Sequence, residues 1–312
     1  MFPWGSERRF NAYSQYCRIH YGGRMQRLPV DAGFSCPNRV SRSEGGCTYC
    51  ANSAFSPSYL SANEDVSVQI ENGKAFFQKR YPSNNGYFAY FQAYTNTFAP
   101  VRLLREKFEA ALAVPDVKGL VISTRPDCLP EAVLDYLSEL SRRTSLCVEV
   151  GVESFHNETL EHIRRGHAVE CVFEAFRRLR EREIPACAHL MFGLPGETPE
   201  QWLEDALLLN RLQPQFVKFH QLQIFKNTPM ELEYADFPER FHTLTADEYV
   251  RFMCDFLERL SPEIVVERFS AEAPPRYLAF SRWNLLRYDA LVRKIEEELE
   301  RRGSWQGYLL NS

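Results

Sequence analysis

Cys36, Cys47 and Cys50 are the residues of this chain whose type and spacing point most directly to chemistry. Three thiolates can hold three irons of a cubic [4Fe–4S] cluster and leave the fourth iron open to another ligand. Electron-transfer clusters take four protein thiolates, and a closed structural zinc site takes four protein ligands. A set of three therefore points to a reaction at the metal. Zinc is the rival reading. Cys17 and His20 lie upstream and, with Cys47-x-x-Cys50, would complete a tetrahedral set. That set leaves Cys36 over and draws two ligands from a predicted helix at 11–21.

The chain has 312 residues and nine cysteines. Cys147, Cys171, Cys187 and Cys254 sit in apolar or mixed segments and read as buried small hydrophobes. Cys128 is the one catalytic candidate, as a radical quencher or covalent partner, with a plain buried thiol as the alternative. An odd total without regular spacing argues against a disulfide framework and for a reducing compartment. Residues 1–10 carry no apolar leader, and no stretch approaches the roughly 20 apolar residues of a membrane span. The expectation is a cytoplasmic protein with no membrane contact.

These residues need a scaffold. Runs rich in β-branched and aromatic residues predict strands near 28–34, 87–94, 119–124, 146–151, 186–192 and 216–224. A seventh at 264–269 reads as an edge strand or an appendage. Between them, helical patterns run over 64–80, 101–112, 131–142, 157–165, 169–182, 199–212, 246–260 and 284–302. Thr198, Pro199 and Gln201 form the expected start of one of these: cap, first-turn proline and capping-box partner. Alternating strand and helix predicts an α/β fold with a parallel sheet and helices outside. Six repeats, not eight, suggest an open partial barrel, and the 45% hydrophobic content suffices for one large core.

In such folds the site lies at the carboxyl ends of the strands. The cysteine loop follows the first strand, with Gly45-Gly46 letting its backbone fold closely. Gln92-Ala93-Tyr94-Thr95-Asn96-Thr97 follows the second. Ser123-Thr124-Arg125-Pro126-Asp127-Cys128 follows the third, and Gly151-Val152-Glu153-Ser154 the fourth. Gly193-Leu194-Pro195-Gly196-Glu197 follows the fifth and Lys226-Asn227-Thr228 the sixth. His189 and His220 lie inside apolar strands and read as core histidines, and His167 as a loop residue.

With these elements in place the sequence resembles the radical S-adenosylmethionine (SAM) superfamily. The ten residues between Cys36 and Cys47 make it a long-loop variant, similar to the branch containing the elongator catalytic subunit. The stretches 30–39, 45–50, 90–97, 125–128, 165–167 and 303–307 resemble YhcC/YtqA-type radical SAM proteins. The resemblance implies a partial (β/α)6 TIM-like barrel at 28–235, a basic arm at 1–27 and a C-terminal helical extension at 236–312 packed on the barrel. It implies a [4Fe–4S] cluster on Cys36, Cys47 and Cys50, with SAM chelated at the open iron. One electron from a flavodoxin- or ferredoxin-like donor then cleaves the sulfonium bond, and the resulting 5′-deoxyadenosyl radical takes a hydrogen atom from the substrate.

For SAM it implies Gln92, Tyr94, Thr95 and Asn96 near the methionine amino end, Glu153 and Ser154 at the ribose, and Arg164 or Arg165 at the carboxylate. Gly193, Leu194 and Tyr49 would pack around adenine. Bland alternatives stand beside these: a helix cap for Glu153, a turn for Gly193 and Gly196, an exposed charge for Arg165. No second cysteine cluster is present, which argues against an auxiliary cluster and against sulfur insertion.

The net charge of −4 does not suggest a nucleic-acid protein. Residues 1–43, however, carry seven arginines (8, 9, 18, 24, 27, 39, 42) against Glu7 and Asp31, a local excess of +5 with Tyr13, Tyr16, Tyr21 and Phe34 interleaved. That mixture suits phosphates and stacked bases. A second basic run, from Arg276 through Arg282 and Arg287 to Lys294, is diluted by glutamates. The elongator-like resemblance adds tRNA wobble-uridine side-chain modification as the leading function. A radical enzyme on a small metabolite or tetrapyrrole, and a cluster-bearing sensor without turnover, remain the alternatives.

Overall fold

Within the strands, alternate side chains face two different environments, and this alternation sets the architecture. The computed structural model describes residues 1–79, 81–280, 283 and 286–310. A helix, α1 (Tyr13–Tyr21), precedes β1 (Gln26–Val30). Then α2 (Val66–Gln78) leads to β2 (Tyr87–Phe91), α3 (Val101–Leu112) to β3 (Val117–Thr124), and α4 (Glu131–Ser141) to β4 (Ser145–Glu153). Next α5 (Asn157–His162) and α6 (Val169–Glu181) lead to β5 (Ala186–Phe192), and α7 (Pro199–Leu212) to β6 (Phe216–Gln221). The rest comprises β7 (Ile224–Phe225), α8 (Pro229–Asp236), α9 (Ala246–Arg259), β8 (Val265–Arg268), β9 (Leu278–Phe280) and α10 (Tyr288–Arg302).

Seven strands pair in the order β1-β2-β3-β4-β5-β6-β8, all parallel, and curl into a half-barrel. The seventh predicted strand is thus the edge strand β8, so the sheet has one strand more than the six repeats implied. The predicted strand 216–224 ends at Gln221, and its tail forms β7, which pairs antiparallel with β9. The helix α8 was not predicted from sequence, although Thr228 caps it by accepting from Glu231 N at 3.2 Å. The predicted helix start at Asn284, the predicted end at Arg80 and the basic-run member Arg282 lie outside the described residues.

One face of the sheet packs on the helices through Leu28, Phe91, Ile122, Val148, Val150, Leu190 and Phe219, each with little or no exposure. Burying such apolar area is the main stabilising term. The other face lines the lumen. Its lower layer is apolar, with Phe88, Val121, Cys147, Cys187 and Phe216. Above lies a charged layer. Lys218 Nζ stands 2.7 Å from Glu149 Oε2 and 2.9 Å from Tyr90 Oη, and Arg27 Nη1 stands 2.6 Å from Glu149 Oε1. Arg27 also pairs with Glu267. Buried charge of this kind persists only when paired.

The helix α1 closes the amino end of the half-barrel. Tyr13 and Tyr16 meet Phe216 edge-on, and Tyr21 meets Phe88. The N-terminal segment also joins the C-terminus: Arg9 donates to Ser304 O and Gln306 Oε1 accepts from Asn11 N at 2.9 Å. Helix α9 packs on α7, and α10 on α9. No helix among the described residues is long and apolar enough to cross a membrane.

Candidate functional site

At the carboxyl ends of the strands, Cys36, Cys47 and Cys50 line one cavity of about 200 Å³ together with Tyr49, Gln92, Tyr94, Thr95, Glu153 and Arg165. The ten-residue loop is folded back on itself. Gly46 N donates to Asn38 O at 2.8 Å, and Gly45 holds a φ of +85°, which favours glycine. Each side of the thiol set meets N–H donors. Asn38 Nδ2 lies 3.4 Å from Cys47 Sγ, and Arg39 Nη2 lies 3.3 Å from Cys50 Sγ. Arg165 Nη1 lies 3.8 Å from Cys47 Sγ. Burial raises Cys50, and the neighbouring Cys47 and Cys36 add to that against the opposing Arg39.

The segment after β2 clasps this loop. Tyr94 Oη donates to Arg42 O at 2.9 Å, with the Arg42 guanidinium 4.2 Å from the ring centre, and Thr95 N donates to Ser35 O at 3.1 Å. Tyr94 and Glu153 both hold φ +64°, rare for residues with side chains. Such strain gathers at functional sites. Glu153 owes its aim to a bulge, because the β4–β5 register shifts between Gly151 and Glu153. Its Oε1 meets Arg165 Nη2 at 3.4 Å, while its Oε2 is buried without a partner. Burial pushes the Glu153 carboxyl up, against the lowering influence of Arg165 and Lys218.

Four predicted SAM residues stand elsewhere. Asn96 is fully buried, and its amide donates to Phe91 O, Ala93 O and Ser123 O, so it fixes the turn. Ser154 Oγ donates to Glu197 Oε1 at 2.5 Å, behind the cavity wall. Leu194 packs with Leu160, Ile163 and Met191. Gly193 lines a neighbouring chamber bounded by Phe192, Trp202, Leu222 and Tyr249. Cys128 sits in a buried turn after β3, does not line the cavity, and burial pushes its thiol up to about 12. The zinc alternative fails on position: Cys17 is buried at the amino end with Met25 and Phe88.

Glu149, Lys218 and Arg268 line the cavity but were not singled out from sequence, and Arg39, Ser123 and Arg125 were named there only within longer segments. Arg125 holds Asp127 through two bonds of 2.8 Å, and its Nη1 is buried without a partner. His189 and His220 line the cavity rather than the helix-facing core. A signal existed. Cys147, Glu149, Gly151 and Glu153 alternate with Leu146, Val148, Val150 and Val152, and Lys218 and His220 alternate with Val217 and Phe219. Polar residues at period two in apolar strands mark a lumen.

The seven N-terminal arginines do not form one patch. Arg24 lies beside Asn85 at the amino ends of the strands, Arg8 near Glu296, and Arg27 inside the lumen. Only Arg39 and Arg42 adjoin the cysteines, where Arg39 donates to Cys50 and Arg42 pairs with Asp31 at 2.5 Å.

The chain has relatives among known proteins. Residues 36–209 match the family model described as Radical SAM superfamily, and residues 214–301 that of the Radical_SAM C-terminal domain. The chain is 38% identical over 308 residues to the uncharacterized protein YtqA of Bacillus subtilis, covering 98% of this chain and 94% of that one. It is 30% identical over 115 residues to a tRNA uridine(34) acetyltransferase of Methanocaldococcus infernus, covering 36% of this chain and 21% of that one. The solved structure of M. infernus Elp3 lacking its N-terminus superposes with a TM-score of 0.69 at 17% identity, over 90% of this chain and 64% of that one. That last likeness concerns the fold.

Proposed function

Since the chain belongs to the radical SAM superfamily, we propose that Cys36, Cys47 and Cys50 hold its [4Fe–4S] cluster and that it remodels the side chain of a tRNA wobble uridine. It is a radical SAM enzyme, and the cofactors of its family are that cluster and SAM. When bound, the pair supplies one-electron cleavage of the sulfonium bond and hydrogen-atom abstraction.

The observation that carries the cofactor reading is the convergence of three thiols, N–H donors and unpaired buried polar atoms on one cavity. Asn38, Arg39 and Arg165 donate to the sulfurs, which orients the ligands and tunes their charge. Glu153 Oε2 would accept from an amine or hydroxyl group of SAM. Arg125 Nη1 is free for its carboxylate, whereas the two terminal nitrogens of Arg165 are engaged with Gly151 O, Cys47 and Glu153 and only its Nε has no partner. Tyr49 would pack beside the adenine, with Gln92 and Thr95 lining the same cavity. A low-potential flavodoxin- or ferredoxin-like protein delivers the electron.

The tRNA reading is supported by the stretch shared with the tRNA uridine(34) acetyltransferase. A small metabolite is the second reading. One observation favours it: Arg8, Arg9 and Arg24 do not adjoin the thiols. Anaerobic reconstitution followed by reduction should give a brown protein that cleaves SAM. Mass spectrometry of tRNA nucleosides, with and without the protein, should show one modified uridine lost and another gained. Colourless protein sinks the cofactor reading; unchanged nucleosides sink the tRNA reading.

A further inference from the structure

Three of the cations lining the cavity have a carboxylate, a fourth meets a cysteine sulfur, and a fifth has neither. Lys218 has Glu149, Arg165 has Glu153, Arg125 has Asp127, and Arg39 has the Cys50 sulfur. Arg268 has no carboxylate within 4 Å among the described residues, although it lines the same cavity. Its guanidinium lies against His220 Nε2, a ring nitrogen that accepts from it in the neutral tautomer with Nδ1–H. Its Nε is buried without a partner.

The backbone turns Arg268 inward. Val217 pairs with Val266 and Lys218 with Arg268, so Glu267 is an extra residue in β8. Such a bulge re-aims side chains beside active sites. It lets Glu267 meet Arg27 and Arg268 meet His220 in the same lumen. A second unsatisfied group lies next to it. His189 Nε2 is buried without a partner, with its ring 4.2 Å from that of His220.

Arg268 is half-buried, but a buried guanidinium nitrogen without a counter-charge and a buried imidazole nitrogen without a partner are both costly. They persist where a ligand completes them. We propose that Arg268 and His189 form a subsite for an anionic group of the substrate, a carboxylate or a phosphate. Arg268 supplies the charge and a planar set of donors, and His189 in its Nε2–H tautomer supplies a further donor. This deepens the reading of the cavity as the reaction chamber and rests on it. The subsite lies on β5 and β8, whereas Arg125 follows β3, so SAM and the substrate anion would engage different arginines.

The test uses the cluster-loaded chain saturated with SAM. Its probes are acetate, inorganic phosphate and the neutral acetamide, with binding followed by ligand-observed NMR. The subsite predicts that acetate or phosphate binds at least about tenfold more tightly than acetamide, as a charge-assisted bond requires. R268Q should abolish the preference and R268K should restore most of it. Preference for acetate identifies a carboxylate, and preference for phosphate a phosphoryl group. Equal affinity for charged and neutral probes, or an unaltered preference in R268Q, overturns the proposal. Should R268Q misfold, H189N carries the same test, with a loss of about threefold or more in anion affinity expected and no loss counting against the subsite. Iron content and SAM binding, read on the same samples, report on the cofactor reading separately.

Discussion

Arg165 and Glu153 form a buried ion pair, Nη2 to Oε1 3.4 Å, that joins the turn after α5 to the bulge of β4. Both side chains are under 10% exposed. Arg165 Nη2 also donates to Gly151 O at 2.7 Å, and its Nη1 reaches toward Cys47 Sγ. One guanidinium thus couples the thiol loop to the carboxylate proposed to meet SAM.

Gly151→Ala should break this coupling. A Cβ at Gly151 would lie 2.3 Å from Arg165 Nη2 and 2.6 Å from Glu153 Oε1, so the pair must separate. Overpacking of this kind costs about 1–3 kcal/mol. Denaturant unfolding should show that loss, and SAM affinity should fall by about tenfold as one charge-assisted bond is misplaced. Wild-type stability together with wild-type SAM affinity in the variant would rule the coupling out.

The charged layer of the lumen predicts an asymmetry. Glu149 accepts from Lys218, Tyr90 and Arg27, whereas Lys218 has Glu149 as its carboxylate partner. Burial pushes Glu149 up, but Lys218 and Arg27 outweigh it and hold the carboxyl well below the usual range. Glu149→Leu strands Lys218 as a buried unpaired cation and should cost about 3–5 kcal/mol. Lys218→Met leaves Glu149 with Arg27 and Tyr90 and should cost clearly less. The double variant should recover part of the E149L loss in a double-mutant cycle. Equal losses from the two single changes would contradict the network.

Three histidines set the acid limb of stability. Burial holds His189 and His220 well below the usual imidazole range, with Lys218 and Arg268 adding to the effect. Burial and Arg165 lower His167 to about 4. The unfolded chain takes up these protons near pH 6.5, and the folded chain refuses them. Stability therefore falls as pH drops below about 6.5. His156 opposes this: Asp205, 3.3 Å away, raises it, so its contribution is present below 6.5 and lost as pH rises through its folded value. His220→Gln keeps an acceptor for Arg268 and removes one titrating group. Its melting temperature should decline less steeply than the wild type between pH 6.5 and 5. An identical slope would show that His220 is protonated in the folded chain.

The half-barrel was legible because period-two apolar runs and helical spacing name their elements directly, and Pro199–Leu212 begins at its capping box as read. The cysteine loop, Tyr94 and Glu153 were legible as cavity residues because they lie at strand ends, and Arg165 through the family resemblance of its stretch. What was missed depends on three-dimensional closure. Arg268 faces inward only because of the bulge at Glu267, and the seven N-terminal arginines divide because α1 folds over the amino end of the barrel. Asn96 and Ser154 read as ligand residues because a polar side chain at a strand end has the same sequence signature whether it faces a cofactor or caps the turn that holds one.

Cysteine substitutions should separate cluster ligands from bystanders. Cys36, Cys47 and Cys50 share the cavity, and Cys47 and Cys50 meet N–H donors, whereas Cys128 does not line it and its carbonyl accepts from Thr97 Oγ1 at 2.5 Å. Cys17, Cys147 and Cys187 belong to the lower apolar layer of the lumen. After anaerobic reconstitution, Ala at Cys36, Cys47 or Cys50 should each abolish the brown absorption and most of the bound iron and sulfide. Removing one of three thiolates leaves too few ligands to retain the cube. Cys128→Ala should keep full iron content, with a modest drop in melting temperature from the small cavity it leaves. Loss of iron in C128A, or its retention in C36A, would reassign the ligand set.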